Sequence, residues 1–306
     1  MKRLLQAIPV LLGVSLITYL LIFTVAANPA RLALGVRADQ ATVESMQREL
    51  GLLDPPWMQY GRFVWKALHG DLGRSFSTGE AVAPAIWQRF PATCKLGLLA
   101  LALSLLLGIP LGLVSAIFQN RWIDHLLRVL ALLGISMPSF FLGILLAWWL
   151  GYVLNLTPLS GYLPGWEGWP YYTLPCLALS LGPTAVFSRL TRSSVLDVLH
   201  ADYILAARAR GLASWHVMLK HVLKNALIPV ITTMGSSLAA LLAGTFFVEY
   251  IFNWPGIGLL AVDAISNYDI PMLQGTVLFA ALLFVFANIL VDVAYTWADP
   301  RIRLRT

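Results

Sequence analysis

Charged residues are scarce in this 306-residue chain: Asp, Glu, Lys and Arg make up 12% of it, while 58% of its residues are hydrophobic. A soluble domain carries about 25% charged residues, so this deficit excludes an ordinary water-facing surface. The chain needs an apolar solvent, and we therefore expect an integral membrane protein.

Cysteine is nearly absent and histidine is scattered, which disfavours metal and redox chemistry. The two cysteines, Cys94 and Cys176, have no metal or redox spacing, and we interpret them as small apolar residues. His216 and His221 do not have the spacing of a metal-binding pair on one helix face. Because no nucleophile and base stand out either, an intramembrane enzyme is disfavoured, and we expect no catalytic, cofactor or metal site.

Long apolar runs without charge dominate what is present. A helix needs about 20 mostly apolar residues to cross the hydrocarbon core of a bilayer. Backbone polar groups must find internal partners there, so each run is predicted to be a spanning helix. The six runs are Leu4–Ala30, Leu96–Asn120, Val129–Trp166, Gly168–Ser188, Asn225–Val248 and Ile270–Val291.

Basic residues are concentrated at both termini and in alternate connections, whereas about 152–171 and 250–273 contain no Lys or Arg. By the positive-inside rule, we expect both termini to lie on the cytoplasmic side of the membrane. We divide the chain into residues 1–27 (N-terminal tail and first span), 28–95 (periplasmic segment) and 96–306 (core with spans two to six). Two short periplasmic helices are predicted, Ala41–Leu50 and Trp57–Leu68.

Small residues recur every four positions on spans two and five, which places them on one helix face. Small side chains let helix backbones approach closely, so both stripes are predicted to be helix contacts. Pro110, Pro138 and Pro183 are predicted to bend spans two, three and four, unless they serve packing alone. The stripes are Ala100, Ser104, Gly108, Gly112 and Ala116, and Gly235, Ala239 and Ala243.

The loop 189–226 between spans four and five is long, basic and helix-prone. Ser193 is predicted to cap one helix, Gly211 to break the helical stretch, and Ser214 to cap a further helix that ends near Asn225. Its apolar residues exceed what a solvated loop needs, which indicates docking to a partner protein or to the lipid surface.

At this loop the sequence resembles a known family. The stretch Asp202–Leu212 followed by His221–Pro229 is similar to the EAA loop of ABC importer permeases, and most similar to the dipeptide, oligopeptide and nickel group. Leu205 stands where the general pattern has Glu, and Pro229 lies later than usual, as in that subgroup. Further matching pieces are Leu50-Gly51-Leu52, Gly70–Ser75, Ser136-x-Pro138-x-Phe140, Arg189–Ser194, Phe252–Gly258, Asp269–Gly275 and Asp299–Arg303.

The resemblance implies an all-α, six-helix ABC importer transmembrane domain with a cytoplasmic coupling helix. It also implies a second homologous permease, two ATPase subunits that bind ATP and Mg, and a periplasmic solute-binding protein. This chain has no Gly-x-x-x-x-Gly-Lys-Ser/Thr loop, so ATP must bind elsewhere. Lipid is an expected partner, and nucleic acid is not. The expected coupling residues are Tyr203, Ala207, Arg208, Ala209, Arg210, Gly211, Leu212, Trp215, His221 and Asn225.

An uncharged outer loop, Phe252–Gly258, connects spans five and six. Asn253, Trp254, Pro255, Gly256 and Gly258 are expected either to re-enter the outer leaflet or to face the binding protein. The alternative is an interfacial loop anchored by Phe252 and Trp254.

A secondary carrier is the main rival to an importer subunit, because it also consists of apolar helices. It would need internal repeats and intramembrane ion ligands, and neither is clear in the sequence. Within the importer group the substrate stays open among peptides, glutathione, nickel chelates and related solutes. The partner permease is either identical or only related.

Overall fold

A computed structural model describes residues 2–25, 39–49 and 53–298 of the chain. Helices dominate this described part, where the only β-type pairing is an isolated bridge between Arg74 and Ala81. The predicted all-α architecture is confirmed. Two of the motif pieces that resemble the family, Leu50–Leu52 and Asp299–Arg303, lie outside the described residues.

The amino-terminal part consists of α1 (Lys2–Val25), α2 (Gln40–Glu49) and α3 (Pro56–Leu68). The two short outer helices thus lie within a residue of their predicted starts. Tyr60 of α3 donates a hydrogen bond to the Leu12 carbonyl at 3.1 Å and also contacts the Ser15 hydroxyl at 2.9 Å, so α3 is fastened to α1.

Two helices are long and apolar enough to cross a membrane on their own: α4 (Val82–Ile117) and the last helix (Ile270–Ala298). The first of them starts well before the predicted Leu96, because Val82 and Ile86 are buried against Ile257 and Met272. Pro110 lies inside α4 without ending it.

The third span is broken by a 108° bend between α5 (Trp122–Ser136) and α6 (Ser139–Leu146), which continues in π-helical turns over Ala147–Val153. Pro138 lies at the break, and Met137 before it is extended, as expected for a residue that precedes proline. The predicted bend at Pro138 is therefore confirmed.

Helix α7 (Trp169–Leu199) buries residues along most of its length. The predicted helix cap at Ser193 is wrong: Ser193 lies inside α7 and donates a hydrogen bond to the Leu190 carbonyl at 3.0 Å. Span four continues past its predicted end because Thr191 and Val195 are buried beyond it. Pro183 does not interrupt this helix.

Beyond α7 follow α8 (Asp202–Ala209), α9 (Ser214–Ala226, with π-helical turns over Val217–Leu223) and α10 (Ile228–Gly244). The chain then forms α11 (Phe246–Ile251), α12 (Ile257–Ser266) and α13 (Ile270–Ala298). A 46° bend separates α9 from α10.

Each of the six predicted runs contains a helix among its described residues, but length and composition alone single out fewer spans. In the described part of the chain two helices qualify, or up to four if each bent pair is one span. The described apolar part of α1, Ile8–Leu20, is shorter than a span. Helix α7 is long enough, yet it carries Tyr, Thr, Ser and Pro residues that are buried within the protein. A helix surrounded by protein needs less apolar surface than one facing lipid.

Small residues hold α4 directly against α7. A methyl group at Gly108 would lie 2.8 Å from the Phe187 Cβ, and one at Gly112 would lie 2.7 Å from the Thr191 Cβ. Ser104 is fully buried in the same stripe. On α10, Ala239 is fully buried and Gly235 is half-buried. The stripe on α4 therefore lies where two backbones touch.

Candidate functional site

The loop between spans four and five folds as a helix pair, which we define as α8 and α9 together with the turn at 210–213. Gly211 has φ +76°, a left-handed conformation that L-residues with a side chain rarely adopt, and its amide hydrogen-bonds to the Arg208 carbonyl at 2.9 Å. The predicted order of helix, glycine turn and helix is confirmed.

One face of the helix pair is buried against the transmembrane body. Ile204 and Ala207 of α8 lie in one apolar cluster with Val217, Val222 and Ala226 of α9. Ala116 of α4 and Val195 of α7 complete this cluster, so the ends of two long helices form its base. The helix pair is thus a packed part of the domain and not a free loop.

The opposite face, which we call the docking face, is exposed, apolar and basic. Trp215 is 68% exposed, and it is accompanied by exposed apolar and aromatic neighbours. Ala209 is exposed as well, and His221 is half-buried. Large apolar side chains exposed together with basic ones favour an interaction site. Its other members are Tyr203, Leu205, Arg208, Arg210, Leu212 and Leu219.

A hydrogen bond ties the two helices of the pair together. The Asn225 side-chain amide donates to the Tyr203 hydroxyl at 2.8 Å and to the His221 carbonyl at 3.0 Å. Three residues expected from the sequence to belong to the coupling loop therefore meet in one small network. It fixes the end of α9 relative to the start of α8.

Behind the helix pair lies a buried ion pair that the sequence pattern did not reveal. Arg192 of α7 donates two hydrogen bonds of 2.8 Å to the carboxylate of Asp124 in the first turn of α5. The Ser115 hydroxyl at 2.6 Å and the Asn120 amide at 2.9 Å donate to the same carboxylate. Arg192 belongs to a recognised motif piece, but nothing in the spacing pointed to Asp124.

At the other end of the molecule, Asp269 fastens the connection between α3 and α4. Its carboxylate accepts hydrogen bonds from the Ser75 hydroxyl, from the Ser77 hydroxyl at 2.8 Å and from the Phe76 amide at 3.1 Å. Burial works against the ionised form, but these hydrogen bonds outweigh it and hold the pKa of Asp269 below its ordinary value. Two separate motif pieces of the sequence thus meet here.

The outer loop Phe252–Gly258 is folded into the body of the protein. Trp254 is 0% exposed, stacks edge-on against Tyr162 and Tyr172, and donates its indole N–H to the Ala92 carbonyl at 3.1 Å. The interpretation of Phe252 and Trp254 as interfacial anchors is wrong, since both are buried. Asn253 is exposed at φ +49°, and Pro255 is half-buried.

Glu249 explains why this loop turns inward. Its carboxylate accepts hydrogen bonds from the hydroxyls of Thr93 and Thr245, both at 2.8 Å, and from the amides of Gly258 at 2.6 Å and Leu259 at 3.2 Å. These amides belong to the first turn of α12, whose dipole favours an anion. Gly256 and Gly258 are buried, and a side chain at either position would collide with Glu249.

Among the described residues, no group of three or more His, Cys, Asp or Glu side chains is placed to hold a metal ion.

Comparison with known proteins agrees with these features. A family model described as "Binding-protein-dependent transport system inner membrane component" matches residues 108–304, and the corresponding amino-terminal model matches residues 1–97. A Brucella abortus (strain 2308) protein named for a peptide transport system permease is 42% identical over 99% of this chain and 98% of its own length. The glutathione transport system permease protein GsiC of Escherichia coli K12 is 39% identical over the same shares. The dipeptide transport system permease protein DppB of Alkalihalophilus pseudofirmus is 38% identical, again over 99% and 98%.

Solved structures show the same fold at low sequence identity. A chain of the inward-facing MetNI methionine ABC transporter aligns with a TM-score of 0.58 at 13% identity, covering 71% of this chain and 96% of its own. An amino acid ABC transporter crystallised with histidines gives a TM-score of 0.51 at 17% identity, covering 71% and 94%.

Members of the matched family are permease subunits of ABC importers, in which separate subunits hydrolyse ATP, so this chain is not itself an enzyme. Its apolar helices agree with a multi-pass location in the inner membrane. The matches to both family models and to full-length relatives lead to one conclusion: the chain belongs to the family of binding-protein-dependent transport system inner membrane components and is a permease subunit of an ABC importer.

Proposed function

We propose that this permease imports short peptides, or a closely related solute such as glutathione or a nickel chelate, and that it forms half of the pathway. The full-length relatives named for peptide, dipeptide and glutathione transport support this substrate class. The other half is a second, homologous permease chain. A periplasmic solute-binding protein delivers the substrate from outside, and both termini of the permease face the cytoplasm.

The helix pair couples this subunit to an ATPase. The observation that carries the proposal is the two-sided build of the pair: one face is packed on α4 and α7, and the docking face is exposed, apolar and basic. ATP and Mg bind to two partner ATPase subunits. When ATP draws these subunits together, the helix pair moves with them and rocks the spans between inward-open and outward-open states.

The Gly211 turn provides a direct test of this coupling. A Cβ atom added at this position meets no neighbouring atom within 4 Å, but valine must adopt φ +76°, so the strain acts on the angle between α8 and α9. Gly165→Val is the matched control, because Gly165 has φ +82° and equally open surroundings in a loop far from the helix pair in sequence. Both variants are assembled with their partners in lipid nanodiscs.

We expect Gly211→Val to insert normally but to lose most of the ATP hydrolysis that the substrate-loaded binding protein stimulates. Gly165→Val is expected to behave like the wild type. Unchanged stimulation and peptide uptake in Gly211→Val would refute the coupling role. Cross-linking from Trp215 that captures no ATPase subunit would refute the docking face itself.

A further inference from the structure

The ion pair Asp124–Arg192 joins three transmembrane elements at one buried carboxylate. Asp124 opens α5, Arg192 belongs to α7, and Ser115 belongs to the last turns of α4. The Asn120 amide adds the turn between α4 and α5, where Asn120 has φ +62°. Four donors therefore converge on one carboxylate: the Asn120 backbone amide, the Ser115 hydroxyl and two N–H groups of Arg192.

The turns of α4 and α7 that contact Asp124 also pack against the helix pair. Ala116, which follows Ser115, and Val195, which lies one turn after Arg192, both belong to the buried cluster that contains Ile204 and Val217. A movement of the helix pair must therefore displace the segments of α4 and α7 that hold the carboxylate. Close packing leaves these segments little room to yield separately, since Gly112 already touches Thr191.

The ion pair connects these segments of α4 and α7 to the bent third span. The Asp124 side chain is 0% exposed, and Arg192 meets it with two parallel hydrogen bonds, an arrangement that fixes direction as well as distance. Buried ion pairs add little net stability compared with apolar residues of similar volume, so their value lies more often in geometry. Here that geometry orients the start of α5, which continues through the 108° bend into α6.

We propose that Asp124 and Arg192 are positioning residues that transmit the movement of the helix pair to the third span. They thereby set how many substrate molecules are transported for each ATP hydrolysed. The inference rests on the proposed function, because it takes the helix pair as the point where the ATPase acts. It adds a specific route from that point into the membrane.

Arg192→Gln and Arg128→Gln form a matched test pair. Arg128 also faces Asp124, but its Nε lies 3.6 Å from the carboxylate and its side chain is 44% exposed. The complete complex with both permeases, both ATPases and the binding protein is reconstituted in liposomes. ATP hydrolysis and uptake of a labelled dipeptide are measured on the same preparation.

In Arg192→Gln, ATP hydrolysis is expected to persist while uptake per ATP falls about tenfold. Arg128→Gln is expected to keep the wild-type ratio.

A double variant separates transmission from simple stability. Removing only Arg192 deprives the buried carboxylate of its bidentate partner, which can impair assembly. Asp124→Asn combined with Arg192→Gln removes both charges and keeps groups that can hydrogen-bond. We expect this variant to restore the melting temperature and the yield of the complex but not the transport ratio, since the bidentate geometry is lost.

A wild-type ratio in either Arg192→Gln or the double variant would overturn the inference, and so would a ratio that recovers together with stability. Failure of the proposed function would give a different result, because the wild-type complex itself would then show no binding-protein-dependent uptake.

Discussion

At the scale of single residues, Gly112 shows how little room separates two spans. A methyl group there would contact Thr191 of α7, whereas one at Gly61 of α3 meets nothing within 4 Å. We expect Gly112→Ala to destabilise the protein by about 1–3 kcal/mol, because the added atom forces two packed helices apart. Gly61→Ala is expected to be neutral or slightly stabilising, since alanine favours a helix more than glycine does.

The comparison of Gly112→Ala with Gly61→Ala is made by thermal unfolding in detergent with intact wild-type protein as reference. Equal melting temperatures for the two variants would contradict a direct contact between α4 and α7.

Glu249 uses both oxygens of its side-chain carboxyl group as hydrogen-bond acceptors. Oε2 faces two backbone donors, Gly258 and Leu259, while Oε1 faces the hydroxyls of Thr93 and Thr245. Glutamine has the same size, but its NH2 group cannot accept a hydrogen bond, so either the two backbone amides or the two threonine hydroxyl hydrogens lose their acceptor. Glu249→Gln is therefore expected to lower stability by about 1–3 kcal/mol, the cost of a buried polar group without a partner.

Glu80→Gln provides the control for this change, because Glu80 is an exposed loop residue. Thermal unfolding of both variants measures the difference. A Glu249→Gln variant as stable as Glu80→Gln would show that the carboxylate is not needed to hold the outer loop inward.

At the scale of elements, local signals predicted local structure. Gly211 predicted a turn between two helices, Pro138 predicted a bend, and the pattern around Trp57–Leu68 predicted α3. Each of these depends on the conformational preference of one or a few neighbouring residues. The small-residue stripe on α4 also predicted a buried face, because helix periodicity alone determines it.

Local signals failed where distant contacts decide. The predicted cap at Ser193 is wrong because α7 packs on α4 beyond that point, and this packing outweighs the capping preference of serine. The bonds of Arg192 to Asp124, Thr93 to Glu249 and Ser75 to Asp269 join residues 68, 156 and 194 positions apart. Neither spacing nor periodicity in one sequence shows such pairs.

The connection between α3 and α4 is held by Asp269, and we expect this attachment to depend on pH. The pKa of Asp269 is lowered in the folded state. The contribution of its carboxylate to stability is therefore fully present above the ordinary pKa of about 4 and is lost as pH falls through the lowered pKa. We expect amide hydrogen exchange at Phe76 and Ser77 to stay slow from neutral pH down to that range and then to accelerate beyond the intrinsic pH trend.

Asp269→Asn is expected to release the same connection already at neutral pH, because the amide replaces an acceptor by a donor. Asp263→Asn on the neighbouring helix α12 is the control and is expected to leave exchange unchanged. Slow exchange in Asp269→Asn at neutral pH would contradict the role of the carboxylate.

At the scale of the whole molecule, the part of the chain that the structure describes contains three buried carboxylates, which lie at two different ends of the helices. Glu249 and Asp269 fasten connections at one end of the helices, while Asp124 links α4, α5 and α7 at the other, next to the helix pair. The end with Asp124 is the end that the positive-inside rule assigns to the cytoplasm. The molecule thus has one end fixed by hydrogen bonds to the outer connections and one end where the helix pair leaves large apolar side chains exposed.

This assignment of the two ends predicts the labelling pattern of intact cells. Gln119 lies exposed in the turn after α4, near Asp124, and Glu80 lies exposed in the connection fastened by Asp269. In a background with Cys94 and Cys176 replaced by alanine, a cysteine is introduced at one of the two positions. A membrane-impermeant maleimide added to spheroplasts is expected to label Glu80→Cys and not Gln119→Cys. After the membrane is permeabilised, both are expected to react, which shows that the Gln119→Cys thiol is accessible once the reagent reaches it. Labelling of Gln119→Cys from outside would reverse the orientation of the protein, and the docking face would then lie on the wrong side of the membrane to meet an ATPase.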